Sequence, residues 1–99
     1  MRTISIKPKE YMEFKLGEGE TVYRLPLAHC LPLATTARFS EVNAIKDVDE
    51  KAAAALRIEY DMMREYMPDI ADTLTAEQVG EIFAAWNDES TAAGANLGE

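Results

Sequence analysis

The stretch DVDEKAAAALRIEYDMMREYMP, residues 47–68, decides how the rest of the chain is read. Asp47 followed three residues later by Glu50 has the form of a capping box, and Ala52 to Ala55 directly after it are strong helix formers. The expected apolar stripe runs through Val48, Ala52, Ala55, Leu56, Met63 and Met67. Arg57, Asp61, Arg64 and Glu65 are distributed away from it, and Pro68 ends the pattern. A long amphipathic helix of this kind needs other elements to cover its apolar side.

Working outward from it, Thr75-Ala76-Glu77-Gln78 is a second capping box, with Leu74 and Val79 placed for a hydrophobic staple. Val79, Ile82, Phe83 and Trp86 then form an i, i+3, i+4, i+7 face, which predicts another helix. Upstream, Leu33, Ala37, Val42 and Ile45 predict a short helix despite the weaker propensity of Thr35 and Thr36. Nearer the start, Met12, Phe14 and Leu16 alternate with Glu13 and Lys15 as a half-buried strand does. Gly17-Glu18-Gly19-Glu20 supplies a turn, and Thr21 to Leu25 a second strand. Ile4 and Ile6 could extend this sheet, while Pro26 and Pro32 restrict the segment after it. The chain therefore reads as α+β, an N-terminal β-hairpin followed by about three α-helices. It is expected to form a single domain over residues 1–99, with an ordered core of about 11–88 and a mobile tail over 91–99.

At 99 residues and 47% hydrophobic content the chain has enough apolar surface for one modest core without staples. Its only cysteine, Cys30, has no partner for an internal disulfide, and the first twenty residues lack the apolar run of a secretory signal. A reducing, cytoplasmic setting is expected. No stretch approaches the roughly 20 consecutive apolar residues of a membrane span, so no membrane partner is expected. Ten basic residues against eighteen acidic ones give a net charge of −8, which disfavours nucleic acid as a partner. The imbalance is concentrated, because after Arg64 there is no basic residue at all. That is either a solvated acidic surface or a face that meets a basic partner.

Catalytic constellations are hard to assemble from these residues. His29 and Cys30 are adjacent, so on a strand their side chains point to opposite faces, and packing or loop roles explain them better. One cysteine and one histidine do not supply a structural zinc set, and Asp47, Asp49 and Glu50 do not match a calcium loop, whose glycine position falls on Ala52. Asp69 with Asp72, and Glu77 with Glu81, are explained as surface acids. No enzyme activity, cofactor or metal is expected. The candidates for partner binding are Met62, Met63, Met67, Trp86 and Leu97, although methionines at helical spacing are more often gap-fillers of a core and Trp86 could anchor its helix internally.

The hairpin runs into Arg24-Leu25-Pro26-Leu27-Ala28, followed by Tyr66-Met67-Pro68-Asp69-Ile70 and then Leu74-Thr75-Ala76-Glu77-Gln78. In this order the elements resemble those of the small tail assembly chaperones of long-tailed bacteriophages and prophages. Ala84-Ala85-Trp86, Ser90 and the close Gly94-Ala95-Asn96-Leu97-Gly98-Glu99 are similar too. The resemblance implies a non-catalytic virion-assembly factor that binds the tape measure protein, recruits tail tube subunits and self-associates in the host cytoplasm. It also makes the C-terminal end a natural junction for a frameshifted, longer product. The competing reading is a small acidic adaptor or regulator, antitoxin-like or anti-repressor-like, that binds a basic protein.

Overall fold

The computed structural model describes residues 1–98, with side chains through Gly94. Its elements are β1 (Tyr11–Phe14), β2 (Tyr23–Pro26), a short 3-10 turn at Ala28–Cys30, α1 (Leu33–Asn43), α2 (Val48–Tyr66) and α3 (Ala76–Gly98). The N-terminal hairpin followed by three helices is the α+β arrangement that the sequence predicts, in one small domain.

Local chemistry sets the helix starts. Asp47 accepts the backbone N–H of Glu50 at 2.8 Å and so satisfies one of the free donors at the start of α2. Thr75 accepts from the Gln78 N–H at 3.1 Å while the Gln78 side chain accepts from the Thr75 N–H at 2.9 Å, completing the reciprocal box before α3. At the end of α2 the Met67 N–H donates to the Met63 carbonyl, and Pro68 stops further winding. α3 continues beyond Asp88, where its large apolar residues give out. Ser90 is buried and Ala93 still packs on the core, and the alanines of the segment favour helix.

β1 and β2 pair antiparallel, with Met12 opposite Leu25 and Phe14 opposite Tyr23. Between them Gly17 adopts φ +57°, the left-handed region that glycine enters without steric cost, and the Gly19 N–H closes the turn onto the Leu16 carbonyl. The paired strands are shorter than expected. Ile4 and Ile6 do not join them: residues 1–10 carry no strand, and both isoleucines are exposed.

Two helix faces also differ from the expected ones. On α1 the turned-in residues are Thr35, Phe39 and Val42, whereas Leu33 and Ala37 are exposed. At about 100° per residue Leu33 and Ala37 lie on the opposite side of a helix from Val42, so the four residues never formed one stripe. On α2 the buried side is Ala55, Ile58, Met62 and Met63, while Val48, Ala52 and Leu56 face out. The long alanine run allowed two rows to be read as one.

The core joins the hairpin to all three helices through Met12, Leu25, Val42, Met63, Phe83 and Trp86. α3 is fixed to the segment after β2 by two hydrogen bonds: Trp86 Nε1 donates to the Pro26 carbonyl at 2.8 Å, and the Ala28 N–H donates to Ser90 Oγ at 3.0 Å. α1 packs on α2, where Arg38 and Asp61 form a half-exposed ion pair at 2.9 Å that adds little stability.

Candidate protein-binding groove

Four of the expected partner-binding residues belong to the core. Met63 and Met67 have no exposed surface, and Met62 and Trp86 are buried as well. Trp86 stacks on Phe39 at 6.0 Å between ring centroids and meets Phe83 edge-on at 5.6 Å, so its indole anchors α3 internally. Burial in the chain's own fold is thus the role the structure gives these side chains, correcting their assignment to a partner surface. The side chain of Leu97, the fifth candidate, lies outside the described residues.

The surface offers something else beside them. An open groove of about 510 Å³ runs between α2 and the start of α3. Ala53, Leu56, Arg57 and Tyr60 line one wall, Leu74, Ala76 and Val79 the other, with Ala71 and Asp72 at the end and Met63 beneath. The lining is mainly apolar. Leu56 and Tyr60, four residues apart on α2, keep 45% and 39% of their surface exposed along the rim. Tyr60 is held in place from both sides: its hydroxyl donates to Asp72 Oδ1 at 2.6 Å, and the Arg64 guanidinium lies 5.8 Å from its ring. The bond to Asp72, together with desolvation and the carboxylate's charge, raises the Tyr60 pKa. The phenol therefore stays a neutral donor throughout the physiological range.

Sequence reasoning missed this groove because Leu56 was assigned to the buried stripe and Tyr60 to no face. A signal was present in the i, i+4 row Val48, Ala52, Leu56, Tyr60, which continues apolar character around α2 beyond what one core face requires.

The residues with chemical potential are dispersed or engaged. His29 Nε2 lies 3.3 Å from Glu10 Oε1, and the Glu10 N–H donates to Cys30 Sγ at 3.3 Å, so the two side chains meet Glu10 and not each other. Asp69 accepts from the Tyr23 hydroxyl at 3.1 Å and Asp72 from Tyr60, which gives the two acids separate structural partners. Tyr23 is half-buried, and desolvation followed by its bond to Asp69 raises its pKa. Among the described residues no group of three or more His, Cys, Asp and Glu converges in a metal-like cluster, and no helix is long and apolar enough to cross a membrane.

The motifs that carry the resemblance have structural duties of their own. Pro26 and Ala28 receive α3, Met67-Pro68 ends α2, and Thr75 with Gln78 starts α3. No protein-family model, curated protein or solved structure matches the chain.

Proposed function

We propose that this chain is a non-catalytic protein-binding factor of the tail assembly chaperone type, which takes an apolar helical segment of a tape measure protein into the groove between α2 and α3 and assists tail tube assembly. The observation that carries the binding reading is the groove itself. It is open, largely apolar and bordered by exposed Leu56 and Tyr60, features suited to an amphipathic helix laid along it. Arg57 and Asp72, of opposite sign, stand at its edges and give a partner helix polar points of register. The tail assembly assignment is supported by the resemblance of residues 24–28, 66–70, 74–78, 84–86, 90 and 94–99.

A second reading, the acidic adaptor, is favoured by one feature of α3. Glu77, Glu81 and Asp88 are exposed and fall within one narrow sector of that helix, and the helix carries no cation. Such a stripe suits a basic partner.

Co-expression with a long coiled-coil-rich protein encoded beside it, followed by affinity capture, tests the first reading. Leu56→Asp introduces a charge into the groove at an exposed position, so the fold should persist while binding falls at least about ten-fold. Binding through the groove should weaken only slightly as salt rises, whereas binding through the acidic stripe should fall steeply. Capture that survives Leu56→Asp but fails at moderate salt would replace the chaperone with the adaptor.

A further inference from the structure

The sheet has only two strands, and its two edges are treated differently. The Leu27 N–H donates to the Glu10 carbonyl at 2.9 Å, so residues 10, 12 and 14 turn their backbone groups toward β2. Tyr11 and Glu13 consequently direct theirs away from it. On the β2 side the outer edge is blocked at Pro26, which has no N–H and whose carbonyl is taken by Trp86. On the β1 side nothing among the described residues pairs with the edge, and beside it lies a groove of about 350 Å³ between β1 and α3. Met12, Phe14, Leu16 and Ile82 line that groove, with Glu81 on it as well.

We propose that this open edge is completed by residues 3–7 of a second copy of the chain, each copy lending its arm to the other in a two-fold antiparallel ladder. Thr3-Ile4-Ser5-Ile6-Lys7 alternates as a strand does, yet Ile4 is 78% and Ile6 91% exposed. In the register that sets Ile6 opposite Met12 and Ile4 opposite Phe14, directly opposed residues share a face, so both isoleucines enter the groove. The same register bonds Lys7 to Tyr11 and Ser5 to Glu13, the residues whose backbone groups point outward. It also leaves Pro8, which has no N–H, at a position that needs no donor. The two-fold axis passes through Lys9, as an isologous contact requires. Charge agrees with it: residues 1–9 carry three basic residues and no acid, whereas residues 10–99 carry seven against eighteen. Lys7 falls diagonal to Glu13 on one side and to Lys9 of the other copy on the other, and the one directly opposed like-charge pair, Lys9 with its symmetry mate, is exposed and screened by salt.

The arm of the same chain does not serve. Reaching its own β1 in this register needs a three-residue loop, Pro8-Lys9-Glu10, with no glycine for the left-handed position. Glu10 is moreover already bonded to Leu27 and Cys30 in line with β1. The contact is separate from the α2–α3 groove and does not rest on the proposed client.

Light scattering on the full chain across a wide concentration range tests it. The expected result is twice the monomer mass at high concentration. An Ile4→Asp, Ile6→Asp double variant should restore the monomer with the helical part of the circular dichroism unchanged, since neither residue is packed in the single chain. Glu13→Pro, which removes a donor from the open edge and none from the β1–β2 ladder, should do the same. If Glu13→Pro disturbs the fold, the double variant alone decides. A chain that stays monomeric throughout, a dimer that survives the double variant, or a stability loss in that variant without a change of mass would each overturn the proposal.

Discussion

Replacing Trp86 by phenylalanine tests the joint on which the fold depends. The indole N–H reaches the Pro26 carbonyl at 2.8 Å across a separation of 60 residues, in a buried setting, and Pro26 itself is fully buried. Phenylalanine keeps an aromatic ring for Phe39 and Phe83 but donates nothing. The stranded carbonyl should cost about 1 to 3 kcal/mol, the usual penalty for an unpaired buried polar group. The lost indole atoms, roughly two buried methylenes in size, should add about 1 to 2 kcal/mol. A total of about 2 to 5 kcal/mol is a large share of the roughly 5 to 15 kcal/mol that holds a small domain together. At about 4 to 8 °C per kcal/mol for this chain length, Tm should fall by at least about 8 °C. Urea unfolding followed by circular dichroism gives the free energy directly, and an unchanged slope would show that the unfolded reference is the same. A loss below about 1 kcal/mol would mean that the Pro26 carbonyl finds water or another donor, and would refute the account of how α3 is anchored.

Thr75→Ala removes the acceptor that holds the Gln78 N–H, and thermal melts should show a loss of about 0.5 to 2 kcal/mol, with no loss meaning that α3 starts elsewhere. Glu59 is partly buried on α2, and desolvation raises its pKa from the ordinary 4.5. A raised folded-state pKa favours the native state below about pH 4.5, and the benefit is lost as pH rises through the folded value. Glu59→Gln should therefore gain stability over the wild type at pH 7 and lose that advantage near pH 4, as paired melts at the two pH values would reveal.

The elements were legible where the signal was local. Asp47 and Glu50, Thr75 and Gln78, Gly17 and Pro68 act on backbone groups within four residues, so their positions in the chain were enough to place the turn and the helix ends. The face of α3 was legible too, because Val79, Ile82, Phe83 and Trp86 are large and the positions between them are small or polar. On α2 the same method failed. Alanine runs have no direction, and only the packing of Ile58 and Met62 against the rest of the fold separates the covered row from the row that borders the groove. Ile4 and Ile6 show a different limit, since alternation predicts a strand but does not say which chain supplies its neighbour.

These failures have a common physical origin in how thin the molecule is. Its extents are 49 × 39 × 23 Å, and a shortest dimension of 23 Å accommodates about two layers of secondary structure, since packed elements lie roughly 8 to 10 Å apart. With a single layer of side chains between them, each helix covers one row and leaves its flank open, and the hairpin keeps an uncovered edge. The grooves that such a plate presents are open and mainly apolar, a shape suited to strands and helices of other chains. The same thinness that puts Met63 and Trp86 in the core leaves Leu56, Tyr60 and the β1 edge exposed for the contacts proposed above.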